Sequence, residues 1–239
     1  MRPIIYVHGL PGSGAELRLG WPESRQRPFV VAPSAYDAFP AHAPPGPVHV
    51  VGFSLGAPAA LRLAARWPDR IVRVTLISPA APPRPRDLHR MAGAPLFLAS
   101  RRGPRALAVA VAVQATLAQV APTLLLALMF AAQPVAERRL LRDEGVRDAL
   151  VAGLRRTFGP GRRGYAAALS AYAGSIDDDP IQLGVPVEIV HGADDGWVPV
   201  AMARRLADAL APRCTLTVLP GLGHYGALRA GLARVAAED

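Results

Sequence analysis

The chain has no lysine, only one cysteine and no internal repeat. A single cysteine excludes an internal disulfide. Cys214 lies in the run RCTLTVLP, which reads as a buried strand and so as an inert core thiol. The N-terminal stretch MRPIIYVHGLPG carries a charge but lacks the run of about 7–15 apolar residues that a signal peptide needs. A cytoplasmic protein is therefore expected. Because lysine is missing, the basic excess of 27 residues over 18 acidic ones, a net +9, is all arginine. Such an excess can mark nucleic-acid binding. Here the arginines are scattered beside alanines in helix-like segments, which reads as solvated helix faces, and no nucleic-acid partner is expected. The weaker functional reading is a preference for anionic substrates or membrane surfaces.

What is present is a large apolar fraction, 51% of 239 residues, enough for one large α/β domain or a domain with an insertion. The 25 prolines and 22 glycines fall between apolar runs and read as turns. Six runs read as strands: Ile4–Val7, Phe29–Ala32, Val48–Val51, Ile71–Ile77, Val185–Val190 and Leu216–Leu219. The first, Ile4–Val7, is continuously apolar, as strands covered on both faces are, and the others are predominantly so. Amphipathic helical patterns follow in LGAPAALRLAARWP, PVAMARRLADALAP and YGALRAGLARVAAE. Alternating strand and helix implies right-handed crossovers and a mostly parallel sheet of about six strands with helices on both faces. The expected spatial order is second, first, third, fourth, fifth, sixth.

Residues 84–175 break that rhythm and offer no clear strand, so the expected organisation is a core of 1–83 and 176–239 with a helical cap between. Ala106 to Ala132 contains no charge and is long enough to span a bilayer of about 30 Å. One crossing would place halves of a single parallel sheet on opposite sides of the membrane, and Gln114, Gln119 and Pro122 interrupt the run. Two packed helices broken near Pro122 are expected, although AVAVAV alone also fits a strand. The cap should lie over the carboxyl edge of the sheet and enclose an apolar pocket.

The third run ends in GFSLG, with Ser54 between Gly52 and Gly56. A serine on a tight strand-to-helix turn projects its hydroxyl at a helix N-terminus, where N–H groups can hold an oxyanion; this is the G-x-S-x-G elbow. The plain alternative is a turn built from small residues. A serine nucleophile needs a base, and the base needs an orienting carboxylate. Of the six histidines, only His224, in PGLGHYGAL, falls after the last strand, on the edge where the elbow opens. The loop HGADDGWVP supplies two carboxylates, Asp194 and Asp195, and one of them reads as a turn cap. GLPGSG could also be a flexible turn or a phosphate loop, but it lacks the Lys-Ser/Thr of a Walker sequence.

HGLPGSG, GFSLG, HGADDGWVP and GLGHY, in that order, resemble an α/β-hydrolase fold protein of the serine-hydrolase type. The resemblance covers about Ile4 to Pro79 and Val185 onward. It implies a Ser54, Asp195, His224 triad, since the G-x-x-D pattern before V-P favours Asp195. It also implies oxyanion-hole N–H groups from Leu10 and Leu55, with no cofactor and no metal. The chain departs from the pattern in beginning at the first His-Gly strand, in having little room for a helix between Val31 and Val48, and in carrying Ala57 where a glycine is common. The implied function is hydrolysis of an ester, thioester or related acyl bond of a small apolar substrate. Two other readings stand beside it: a non-catalytic small-ligand binder on the same fold, and a membrane-surface protein acting on lipid through the cap. Arg101, Arg102, Arg105, Arg138, Arg139 and Arg142 would support the last.

Overall fold

The computed structural model describes residues 2–26, 28–33, 39–40, 42–175 and 183–238. Six strands form one sheet: β1 (Ile4–Val7), β2 (Phe29–Val31), β3 (Val48–Phe53), β4 (Ile71–Ile77), β5 (Val187–Gly192) and β6 (Cys214–Leu219). The order is β2-β1-β3-β4-β5-β6, as the sequence predicts. Every neighbouring pair is parallel. The register aligns Ile5, Val50, Val74 and Val187 in one row across the sheet, and all four are buried. Helices cover both faces, so the runs are mostly apolar, although β6 alternates Thr215 and Thr217 with Leu216 and Val218.

Strand ends differ from the sequence reading for local reasons. β5 starts at Val187 rather than Val185 because Pro186 has no N–H to give; only its carbonyl joins the ladder, accepting from Val74 N at 3.1 Å. β6 starts two residues early, at Cys214, and it is an edge strand with mostly half-buried side chains. Cys214 is therefore not in the buried core, although burial still pushes its thiol up to about 11.

The chain moves outward from β1 to β2, then returns to build β3 to β6 on the other side of β1. Right-handed crossovers in opposite directions put their connections on opposite faces. The 3-10 turn Gly14–Leu19 thus lies on one face, and α1 (Ala57–Arg66) and α9 (Val200–Ala209) lie on the other. The last helix, α10 (His224–Glu238), packs against the 3-10 turn and β5. The stretch in which the sequence left little room for a helix includes residues 34–38 and 41, which lie outside the described residues.

Between β4 and β5 the described chain is helical: α2 (Pro85–Arg90), α3 (Ala94–Arg102), α4 (Pro104–Val120), α5 (Pro122–Phe130), α6 (Val135–Arg139), α7 (Glu144–Phe158) and α8 (Arg162–Gly174). The end of this insertion, expected at residue 175 or 176, borders residues 176–182, which are outside the described residues. AVAVAV is helical, within α4. The break falls at Ala121, because Pro122 cannot donate to α4's ladder but fits the first turn of α5. Among the described residues, no helix is long and apolar enough to cross a membrane.

Candidate active site

β3 runs directly into Ser54, whose φ is +51°. Among the described non-glycine residues only Ser54 and Ser78 have positive φ, a strained state that persists where surrounding structure enforces it. The flanking glycines make that enforcement possible. A Cβ on Gly52 would lie 2.7 Å from the Ala60 Cβ, and one on Gly56 would lie 2.4 Å from the Val7 carbonyl oxygen. The start of α1 is thus pressed onto the end of β1. Ser54 is only 7% exposed, and it opens on a cavity.

The loop after β1 approaches from the other side. A Cβ on Gly9 would meet the Ser54 Cβ at 3.3 Å. Leu10 and Leu55, the residues whose N–H groups the sequence assigns to an oxyanion, line the same cavity as Ser54.

His224 and the aspartates are brought together by two crossing loops. A Cβ on Gly192 would be 2.3 Å from the Leu222 carbonyl oxygen. Ala193 N donates to Leu219 O at 2.9 Å and Asp194 N to Leu222 O at 3.0 Å. This stitching sets His224 Nδ1 2.7 Å from Asp195 Oδ2, both buried. The other oxygen, Oδ1, accepts from Trp197 N at 2.8 Å and Val198 N at 2.9 Å. Asp195 therefore caps the turn and holds the imidazole at once, while the Asp194 side chain is exposed. Burial alone would raise the Asp195 carboxyl, but attraction to His224 and the hydrogen bonds it accepts outweigh that and hold it below the usual range.

Of the remaining histidines, His191 also approaches the acid, its Nε2 lying 3.4 Å from Asp195 Oδ2. His49 lies inside β3, with Nε2 2.9 Å from Thr75 Oγ1. His191 Nε2 is 3.0 Å from the Val198 carbonyl oxygen, and burial lowers its pKa. His8 is buried with Nδ1 2.8 Å from the Gly9 carbonyl. His42 and His89 are exposed.

Several neighbours of the site were not legible in sequence. Glu16 lies buried in the 3-10 turn. It accepts from the Tyr6 hydroxyl at 2.7 Å and from Gly9 N at 3.3 Å, beneath the Leu10 loop, and burial pushes it up to about 7. Glu137, on α6, accepts from Tyr225 N at 2.5 Å and Gly226 N at 3.3 Å, so an insertion carboxylate caps the helix that begins with His224. Burial raises its pKa, against the pull of those N–H groups. Thr157, on α7, exchanges hydrogen bonds with Gly12 N at 3.0 Å and Gly12 O at 3.2 Å. Trp197 stacks on His224, with centroids 5.9 Å apart. In sequence Glu16 and Glu137 look like ordinary first-turn acids. The one local signal is the glycines at 12 and 223, which leave room for them: a Cβ there would collide with Glu16 and Glu137 respectively.

The cavity has a volume of about 240 Å³. Its floor is Ser54, Leu10, Leu55 and His224, and its walls come largely from the insertion, including Met91, Leu96, Phe97, Leu128 and Met129. Its polar wall groups are those of Gln114, Gln133, Tyr165, Trp197 and Tyr225, and among the described residues no aspartate or glutamate lines it. A second hollow of about 230 Å³ lies at the amino ends of β1 and β2, around Arg2, Trp21 and Phe29, far from the strand ends where ligands sit in open α/β sheets. Among the described residues, no group of three His, Cys, Asp or Glu side chains is placed to hold a metal ion.

A parallel sheet with this strand order, a serine on a strained turn after β3 and a His–Asp pair on the β5 and β6 loops define the α/β-hydrolase fold. Comparison with known proteins agrees. A family model described as "Serine aminopeptidase, S33" matches residues 32–226, and the chain belongs to that family of hydrolases. Solved structures share the fold across nearly the whole chain. An esterase from Thermogutta terrifontis is 18% identical with a TM-score of 0.58, covering 100% of this chain and 89% of that one. A meta-cleavage product hydrolase from Pseudomonas fluorescens is 19% identical with a TM-score of 0.60, covering 100% and 90%. A serine hydrolase from Cycloclasticus zankles is 15% identical with a TM-score of 0.62, covering 98% and 88%. No curated protein matches.

Proposed function

We propose that the protein is a cofactor-independent serine hydrolase that cleaves an ester, thioester or related acyl bond of a small apolar substrate through an acyl-enzyme. The observation that carries this is the 2.7 Å His224–Asp195 contact beside a strained Ser54 in one apolar cavity. In this reading Ser54 Oγ attacks the substrate carbonyl while His224 Nε2 takes its proton. Asp195 holds Nδ1–H, fixes the tautomer and stabilises the imidazolium. The Leu10 and Leu55 N–H groups stabilise the charge that builds on the carbonyl oxygen. The proton on His224 then passes to the leaving alcohol or thiol, and water, activated by the same histidine, releases the acid and restores Ser54 Oγ–H.

The cavity lining favours acyl esters over peptides with a free amino terminus. A substrate ammonium in an apolar cavity needs a carboxylate partner, and among the described residues none lines this one. The test is a fluorophosphonate probe with intact-mass and peptide analysis, together with a chromogenic ester panel. The reading expects one adduct, on Ser54, and turnover lost in Ser54→Ala. A protein that binds the esters without labelling or turnover is a binder on this fold, and the proposal fails.

A further inference from the structure

Among the described residues, six large apolar side chains are more than half exposed, and all six lie in the insertion: Val109 (66%), Val113 and Val120 (75%) on α4, Leu124 and Leu128 (58%) on α5, and Val135 on α6. Helical spacing orders them. On α4, Arg105, Val109, Val113, Thr116 and Val120 recur at intervals of three and four and share one exposed stripe. The opposite stripe, Leu107, Val111, Ala115 and Ala118, is buried. Leu124 and Leu128 stand one turn apart on α5. From Ala106 to Ala136 no residue is charged. An apolar surface this continuous on a water-soluble face marks a contact site.

The charge is placed to match. Residues 84–175 hold 14 arginines and 5 acidic residues, while the rest of the chain holds 13 of each, so the entire net charge of +9 belongs to the insertion. Arg101, Arg102 and Arg105 precede the uncharged stretch, Arg138, Arg139 and Arg142 follow it, and all six are exposed.

We propose that α4 and α5 form a docking face for an anionic phospholipid surface. The apolar stripes enter the boundary between headgroups and acyl chains, and the flanking arginines meet lipid phosphates, for which the guanidinium fork is suited. Neither helix can cross a bilayer, so the protein lies on the surface. A second copy of the chain is the poorer occupant, because pairing this face with itself would bring two +9 insertions together. Docking has a consequence for access. Leu128 is both exposed on this face and part of the wall of the Ser54 cavity, so an apolar substrate dissolved in the bilayer would meet the cavity beside the docked face.

The docking does not depend on Ser54 chemistry, and flotation is read with both wild type and Ser54→Ala. The probes are vesicles of phosphatidylcholine alone and of phosphatidylcholine with phosphatidylglycerol, at low and high salt. Both proteins are expected to float with the anionic vesicles and to be released by salt. Each arginine near an anionic surface is worth roughly a fivefold gain in partitioning. Arg101→Glu with Arg102→Glu and Arg105→Glu should therefore lower binding by more than about tenfold. Val113→Asp with Leu124→Asp, both at exposed positions, should do the same with an unchanged circular dichroism spectrum. Absence of flotation overturns the proposal, as does binding that neither variant weakens or that is equal on neutral vesicles. A concentration-dependent dimer in light scattering that the Val113→Asp, Leu124→Asp protein loses would assign the face to a second copy instead.

Discussion

At the scale of single residues, the two aspartates of HGADDGWVP have different tasks. Asp195 has every carboxylate oxygen engaged, with His224, Trp197 N and Val198 N, whereas Asp194 is exposed. Asp195→Asn leaves the turn accepted through one oxygen but presents an amide to Nδ1–H. It should lower kcat by about 10³–10⁴-fold on the best ester of the panel. Asp194→Asn should leave kcat nearly unchanged, and equal losses in the two would remove Asp195 from its role. Glu16 is a second residue-scale case. Its carboxyl is raised from 4.5 to about 7 in the folded protein. The folded state therefore binds its proton more tightly than the unfolded state, and this group's contribution to stability falls as pH rises from about 4.5 to 7, levelling off above. The full shift corresponds to roughly 3 kcal/mol. Urea unfolding at pH 5 and pH 8 should show wild type losing stability relative to Glu16→Gln over that interval. A difference that does not change with pH would mean that Glu16 is ionised throughout.

At the scale of elements, the site depends on close approaches that a sequence pattern does not display. The β1 end, the elbow and the start of α1 meet with no space for a methyl group at Gly56, where a Cβ would face the Val7 and His8 carbonyl oxygens at 2.4 and 2.6 Å. Gly56→Ala should cost about 2–4 kcal/mol by thermal unfolding. Gly174→Ala, at the end of α8 with nothing within 4 Å of the added Cβ, should cost nothing measurable. The insertion is also tied to both loops of the site, through Thr157 on Gly12 and Glu137 on Tyr225 and Gly226. Glu137→Ala leaves two N–H groups beside His224 without their acceptor, a loss of about 1–3 kcal/mol. If the clasp positions the imidazole, kcat should fall more than KM rises, and Glu137→Gln should recover part of it. A pure stability loss with unchanged kcat at low temperature would limit Glu137 to holding α6 in place.

At the scale of the whole molecule, the insertion determines what reaches Ser54. The cavity of about 240 Å³ is walled largely by apolar side chains of α3, α5 and α8 and of the turns before α3 and after α5. Each methylene buried there is worth about 0.8 kcal/mol, so kcat/KM should rise from acetyl toward medium-chain p-nitrophenyl esters. A steady fall from acetyl to octanoyl would show that the insertion does not receive the acyl chain. Filling the wall with Leu96→Trp should move the optimum to shorter chains, read on the same panel.

Much of this protein was determined along the chain itself. The strand runs are short and predominantly apolar, so their existence, parallel pairing and order followed from local pattern and the handedness of crossovers. Ser54, His224 and the Asp194–Asp195 pair were legible as candidates because each sits beside glycines in a loop leaving a strand, and strand ends of a parallel sheet share one edge; the choice between the two aspartates rested on the resemblance to the hydrolase pattern. Pro122 marked the break between α4 and α5, since an imino acid cannot continue the ladder wherever the helix packs. Other features came from contacts between residues far apart in sequence. Cys214 read as core because its neighbours are apolar, but β6 is the edge of the sheet, and only the assembled sheet has edges. Glu16 and Glu137 are ordinary helix-start acids until burial removes their water and backbone N–H groups from distant segments replace it. Val109, Val113 and Val120 on the exposed stripe of α4 are as apolar as Leu107 and Val111 on its buried stripe, and only packing against α7 and α3 decides which keep their water.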